Sequence, residues 1–331
     1  MKSVIPILYN LVSIDANTDE ADVLDQVSAV SEALLELGYE PLQLSFSEKI
    51  IDTVDVLNKI KPPLVFNLTE STAQKGRLSY VAPSILEVLN IPYTGCSAQA
   101  ILLTTDKVVS KKILKSAMIP TPEWLTCQED KGFMQGERYI LKPVDEDGSV
   151  HITEESVIKG ESLEGVQERL QHLMRKTNKA FFAERYIEGR ELNISMIGNH
   201  GHPEVLPAAE IRYIGFKERD KLEILDYKAK WAEESFEFKN TVPNHDFHPE
   251  DGKMLKLLEE CSKKCWYEFG LKGYARVDYR VDREGNPWVL EVNANPCITP
   301  GASGFIRSAA LAGLTYTQII ERLIDEALRK A

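Results

Sequence analysis

Apolar and polar positions along the first hundred residues follow a rhythm that switches between a strand period and a helix period. Val4–Leu11 is a short apolar run with strand character, and Asp22–Leu37 carries apolar residues at helical spacing until Gly38. Pro41–Phe46 and Pro63–Leu68 read as further strands, and Ser79–Leu89 as a helix with Asn90 beyond it. Strands alternating with helices predict a parallel sheet, with ligands at the carboxyl ends of its strands. Asn67-Leu-Thr-Glu70-Ser71 lies at such an end and fits either a substrate loop or a helix-capping turn. The two prolines of Ile119-Pro-Thr-Pro122 interrupt any helix and mark a boundary. A second unit follows, with a strand at Arg138–Lys142, a loop at Pro143–Ser149, a helix at Leu163–Arg175 and a strand at Ala180–Tyr186. The last unit holds several strands, a long helix Glu250–Phe269 and a final helix Thr315–Arg329, whose Ile319, Ile320, Leu323, Ile324 and Leu328 form one inward stripe. The expected division is 1–104, 105–186 and 187–331, with an α/β first unit and α+β character afterwards.

Strict alternation returns in a charged hairpin near the C-terminus. Arg276-Val-Asp278-Tyr-Arg-Val leads through the turn Asp282-Arg-Glu-Gly-Asn-Pro287 into Trp288-Val-Leu-Glu291-Val-Asn293. The turn predicts a register with Asp278 opposite Glu291 and Arg276 opposite Asn293. Ala275, Val277, Tyr279 and Val281 then share the other face with Trp288, Leu290 and Val292. Directly opposed side chains have Cβ atoms about 5 Å apart, so the two carboxylates repel unless a positive group sits between them. Carboxylate and amide oxygens suit Mg²⁺, which keeps waters and completes its shell with substrate phosphates. A half-exposed hairpin with a polar outer face fits the same pattern.

Bulk properties narrow the classes. A chain of 331 residues suits two or three domains. A net charge of −12 with no basic region argues against nucleic acid or an anionic membrane as partner. No run reaches membrane-spanning length, and the apolar N-terminus reads as a buried strand, since no small-residue cleavage site follows it. Five scattered cysteines (96, 127, 261, 265 and 297) form no even framework and fit a reducing cytoplasm. Cys261 and Cys265, one helical turn apart, read as packing residues, and His200-Gly-His202 and His245-x-x-His248 lack further ligands.

An anionic ligand therefore needs a local group of lysines. Neither a P-loop nor a G-x-G-x-x-G fingerprint occurs. Lys142 ends an apolar strand ahead of a loop bearing Gly148-Ser149, which can fold backbone N–H groups over phosphate oxygens. That loop's Asp145, Glu146 and Asp147 would have to point away. Lys107 opens a helix, and Lys230 sits in Asp226-Tyr-Lys-Ala-Lys-Trp231. Each lysine alone also fits an ordinary surface position.

In order along the chain, Lys107, Lys142 with its Gly-Ser loop, Glu184-Arg-Tyr-Ile187-Glu-Gly-Arg-Glu191, Lys230 and Arg276-x-Asp278…Glu291-x-Asn293 resemble the ATP-grasp superfamily. Within it the chain looks most like the D-Ala-D-Ala ligase group of carboxylate–amine ligases, over nearly its whole length. The resemblance implies an ATP-grasp fold behind a Rossmann-like N-terminal domain. It implies that Lys107, Lys142, Gly148 and Ser149 hold ATP phosphates, and that Glu184 with the backbone of Arg185 and Ile187 lines the adenine slot. It also implies that Glu191 takes the ribose hydroxyls, that Lys230 reaches the γ-phosphate, and that Asp278, Glu291 and Asn293 bind two Mg²⁺ ions, with Mn²⁺ able to substitute. Arg276 would stabilise the charged intermediate; Glu70, Asn295 and Ser303 are substrate-side candidates. The implied partners are a small carboxylate and an amine in the cytoplasm, with a homodimer left open.

The chain departs from the group on the amino-acid side. Asn67-Leu-Thr-Glu70 stands where a His-Gly pair is usual, Asp147-Gly148-Ser149 where Gly-Ser-Ser is usual, and Trp231 where a tyrosine follows the lid lysine. Cys297 occupies the place of a glycine in the segment Asn295–Ser303. The expected reaction is carboxylate attack on ATP to give an acyl phosphate, then attack by an amine, with the 143–149 loop and the 212–240 segment as a lid. Three readings stay open: a ligase for an amino acid or dipeptide, an authentic D-Ala-D-Ala ligase, and a non-catalytic nucleotide sensor.

Overall fold

The computed structural model describes residues 2–12, 18–146 and 148–329. It opens with β1 (Val4–Asn10), α1 (Thr18–Glu36), β2 (Glu40–Phe46), α2 (Ile50–Ile60), β3 (Phe66–Asn67) and α3 (Val81–Val88). The strands form a parallel sheet in the order β2-β1-β3, as a strand–helix alternation requires. β3 is shorter than the apolar run predicts. Pro62 and Pro63 lack ladder donors at its start, and beyond Asn67 the chain turns, with the Asn67 Oδ1 accepting from the Thr69 N–H and hydroxyl. Leu8, Phe46, Leu57, Val65 and Leu86 close one face of this sheet.

A helical connection follows, α4 (Ala98–Thr105) and α5 (Lys107–Ser116). Asp106 caps α5, its Oδ1 accepting the Val108 and Val109 N–H groups at 2.9 Å each. Then come β4 (Trp124–Leu125), β5 (Arg138–Pro143), β6 (Val157–Lys159), α6 (Leu163–Thr177) and β7 (Phe181–Arg185). They make an antiparallel sheet in the order β4-β7-β5-β6, backed by Val166 and Leu170 of α6.

The remaining elements are β8 (Arg190–Asn199), β9 (His202–Val205), β10 (Ala209–Tyr213), α7 (Tyr227–Trp231), α8 (Phe236–Asn240), β11 (Thr241–Asn244), α9 (Gly252–Glu268), β12 (Tyr274–Val281), β13 (Pro287–Asn293), α10 (Gly304–Leu311) and α11 (Tyr316–Leu328). The sheet runs β11-β10-β8-β12-β13, with β9 pairing β8. One face is covered by α9, whose Leu258, Cys261, Cys265 and Trp266 meet Val277, Tyr279, Val289 and Val292. Cys261 and Cys265 are thus core residues. Helix α11 returns to α1, and Ile319, Ile320, Leu323 and Ile324 are buried, while Leu328 at the helix end is exposed rather than part of the stripe. No helix among the described residues is long and apolar enough to cross a membrane.

In the hairpin, Arg276 pairs with Asn293 and Asp278 with Glu291, the register that the turn predicts. The expected faces hold only up to that pair. A β-bulge follows Asp278, so Tyr279 pairs with Val289 and Leu290 is the extra residue. The bulge inverts the alternation of β13. Val289 enters the core, Leu290 faces the cleft described below, and Trp288 leaves the apolar face for the molecule's rim.

Candidate active site

The four-stranded sheet and the six-stranded sheet enclose a cleft, and the charged face of β12 and β13 forms its floor. Glu184, near the end of β7, is almost wholly buried. Lys142 of β5 donates to its Oε2 at 2.5 Å, and Lys111 of α5 pairs with Oε1. Burial alone would raise the Glu184 pKa. Lys111 and then Lys142 reverse this and hold the carboxylate below its ordinary range. The Lys107 Nζ donates to the Glu146 carbonyl at 2.7 Å and lies 3.7 Å from Glu291 Oε1. The Glu146 carboxylate is held by Lys179, which satisfies its charge at the edge of the cleft. Asp147 lies outside the described residues.

Glu191 on β8 faces the cleft, with its Oε2 taking the Tyr213 hydroxyl at 2.6 Å and pairing with Arg280 at 2.9 Å. A close approach makes this strand entry depend on glycine. A Cβ on Gly189 (φ +148°) would stand 1.9 Å from the Val281 carbonyl oxygen. Ile187 lines the cleft, while the Arg185 side chain extends to the rim and stacks 5.0 Å from the Trp288 ring centre. Lys230 reaches the cleft from α7, whose start is capped by Asp226. Burial first, and Arg276 second, lower its pKa.

Arg276 forms a two-pronged pair with Asp278 at 2.7 and 2.8 Å, and the Asn193 amide donates to the same carboxylate at 2.8 Å. Burial opposes ionisation of Asp278, but Arg276 above all holds its pKa below the ordinary value. Among the described residues, no three His, Cys, Asp or Glu side chains gather as a metal cage. Asp278 and the opposed Glu291, with Asn293 next on the same face, offer hard oxygen donors without filling a shell. That fits a Mg²⁺ ion that keeps open positions. The Asn293 Oδ1 accepts the Asn295 N–H at 3.0 Å, which fixes the side chain.

The loop 143–149 and the segment 212–240 meet. The Ser149 hydroxyl donates to the Leu225 carbonyl at 2.6 Å, and the Trp231 Nε1 donates to the Gly148 carbonyl at 2.9 Å. Gly148 and Ser149 both hold positive φ, +68° and +61°, a conformation that costs the serine about 1–2 kcal/mol.

The substrate-side candidates stand apart from the cleft lining. Glu70 accepts from the Gln26 amide at 3.1 Å, and Asn295 accepts the Tyr274 hydroxyl at 2.7 Å. Ser303 caps α10, and its hydroxyl donates to the Cys297 carbonyl at 2.5 Å. Between them, Asp22 of α1 accepts from the Cys297 thiol at 3.1 Å and the Thr299 hydroxyl at 3.0 Å. Burial, then Asp22, push the thiol pKa up to about 12.

Four site residues escaped the sequence reading. Arg280 continues the alternation of Arg276 and Asp278, and Lys111 lies one helical turn after Lys107; both spacings were visible. Asn193 continues the alternation from Glu191 along β8 in the same way, whereas Asp22 had no such signal, being brought in by tertiary packing.

Residues 114–325 match the family model described as the D-ala D-ala ligase C-terminus. A D-alanine–D-alanine ligase of a Synechococcus strain is 34% identical over 260 residues, 76% of this chain and 72% of that protein. The one from Aquifex aeolicus is 31% identical over 302 residues, 89% of this chain and 92% of that protein. The crystal structure of the Bacillus anthracis D-alanine–D-alanine ligase complexed with ATP matches with a TM-score of 0.73, at 23% identity, over 99% of this chain and 98% of that one. Family model, sequence and overall structure agree, and the chain belongs to the D-alanine–D-alanine ligase family of ATP-grasp ligases.

Proposed function

We propose that this protein joins a carboxylate to an amine at the expense of ATP, releasing ADP and phosphate through an acyl phosphate. The observation that carries this reading is the meeting of Lys107, Lys142 and Lys230, from three separate elements, above the opposed carboxylates Asp278 and Glu291. Under it, Lys107, Lys142 and the Gly148-Ser149 backbone take the phosphates, Glu184 and the Arg185–Ile187 backbone take adenine, and Glu191 takes the ribose. Mg²⁺ at Asp278, Glu291 and Asn293, as two ions or with Mn²⁺ in its place, would neutralise charge on the phosphoryl oxygens.

A substrate carboxylate oxygen attacks the γ-phosphorus, and ADP leaves as the phosphoanhydride bond breaks. Lys230 faces the oxygens on which charge collects. The amine then attacks the acyl carbon, and the tetrahedral oxyanion forms beside Arg276, which Asp278 holds in one orientation; its collapse breaks the acyl carbon–oxygen bond, and phosphate leaves with the proton lost by the amine. The acyl phosphate must be shielded from water, and the contacts of Ser149 and Trp231 across the two loops support their use as a lid.

Two readings of the substrates divide. Relatives named D-alanine–D-alanine ligases favour D-alanine in both positions. The changed side chains at Glu70, Trp231 and Cys297 favour a different amino acid or dipeptide. ADP release over pairs of D- and L-amino acids, with products read by mass, separates them. Stimulation by D-alanine alone selects the first; a mixed product selects the second. Mg-ATP binding with no turnover over the whole panel would overturn the ligase reading in favour of a sensor.

A further inference from the structure

Lys111 is enclosed in a way that packing alone does not explain. It is 1% exposed, one helical turn beyond Lys107. Its ammonium pairs with Glu184, donates to the Thr121 hydroxyl at 2.7 Å and lies 5.9 Å from the centre of the Trp124 ring. The Thr121 hydroxyl gives its own proton to the Val289 carbonyl at 2.8 Å, so towards Lys111 it can only accept. Carboxylate, hydroxyl and ring face together form a cage for a cation, and a buried ammonium needs such partners. Burial pulls the Lys111 pKa down, and Glu184 opposes that pull.

Glu184 thus has a lysine on each oxygen, Lys111 on Oε1 and Lys142 on Oε2. Two ammonium groups around one carboxylate leave a single positive charge uncompensated. The side chains of Lys111 and Glu184 are each 1% exposed, whereas that of Lys142 is 12% exposed and borders the cleft. The surplus charge therefore lies on the cleft side. With a neutral residue at 111, Glu184 and Lys142 would form a closed pair with no net charge.

We propose that Lys111 is a positioning residue that takes up the charge of Glu184, so that Lys142 meets the phosphates of a nucleotide as a net cation. This rests on the nucleotide reading given above. It assigns a role to a side chain that does not itself border the cleft, and it predicts an effect on phosphates separate from any effect on the base.

Calorimetric titration with adenosine and with ADP tests it, through the ratio of the two Kd values in each variant. In Lys111→Met, ADP binding should weaken so that the ratio falls about tenfold, while the adenosine Kd stays within about threefold. The double variant Lys111→Met with Glu184→Gln removes one charge of each sign and should bring the ratio back to within about threefold of the parent. Equal weakening of adenosine and ADP in Lys111→Met would overturn the inference, as would a double variant that keeps the lowered ratio. If circular dichroism shows Lys111→Met unfolded, Glu184→Gln alone decides: the ratio should hold or rise, and a fall overturns the proposal. A parent protein that binds neither adenosine nor ADP would overturn the nucleotide reading, and this inference with it.

Discussion

The cleft and the wall of residues around Cys297 are built on opposite principles. The wall at the cleft floor is dense in charge and stands on regular elements: Lys142 on β5, Glu184 on β7, Glu191 on β8, Asp278 on β12 and Glu291 on β13. The wall around Cys297 is tied by hydrogen bonds among chain segments hundreds of residues apart, from Asp22 and Gln26 to Ile298 and Thr299. Charged groups on strands can be aimed at a fixed anion by backbone periodicity alone. A wall assembled from loops and one helix face can change its side chains without disturbing that aim.

Glu291→Gln should break the comparison hardest. Loss of one carboxylate at the floor is expected to reduce ADP release at least about a thousandfold, or some 4 kcal/mol of barrier, with the melting temperature little changed. A coupled ADP assay and a thermal melt on the same sample check this; unchanged turnover would remove the floor from the chemistry. Arg276→Lys comes next. It keeps a cation beside Asp278 but loses the planar fork, so kcat should fall about a hundredfold with KM for ATP nearly constant.

The alkaline limb of the pH profile tests Lys230. Because burial and Arg276 lower its pKa, the charged form exists only below a pH lower than the ordinary lysine value of about 10.4. Activity that needs the ammonium is thus present at low pH and lost as pH rises through that lowered pKa. The limb should appear in kcat/KM for ATP, which reports the free enzyme, and should disappear in Lys230→Arg. The smallest effect is expected on the other wall. Cys297→Ala removes one neutral hydrogen-bond donor, so stability should drop by about 1 kcal/mol, with KM for an amino-acid substrate shifting and the ATP Kd unmoved. A matched loss of ATP affinity would show that the walls are coupled after all.

What could be read from the chain follows the same division. The pairing of Asp278 with Glu291 was legible because a turn and a two-residue period specify it. The parallel sheet and the start of a helix at Lys107 were legible for similarly local reasons. The bulge after Asp278 was not, since nothing in Trp288-Val-Leu marks which residue is skipped, and both faces accept an apolar side chain. Glu70, Asn295 and Ser303 are legible only as polar residues of loops, since their partners Gln26, Tyr274 and Cys297 depend on how separate elements pack. Lys111 was passed over because a lysine on a helix is ordinarily exposed, and only the fold reveals the carboxylate waiting behind it.

The bulge has a mechanical consequence of its own. It breaks the hairpin into two stretches, one carrying Asp278, Glu291 and Asn293 and the other carrying Trp288 and the exposed turn. A residue inserted or lost in that turn can be absorbed as a slip of the outer stretch, and the phase of Glu291 and Asn293 is insulated from it. Length changes between Asp282 and Pro287 should therefore be far better tolerated than a single deletion at Leu290, which would force the two stretches back into one register.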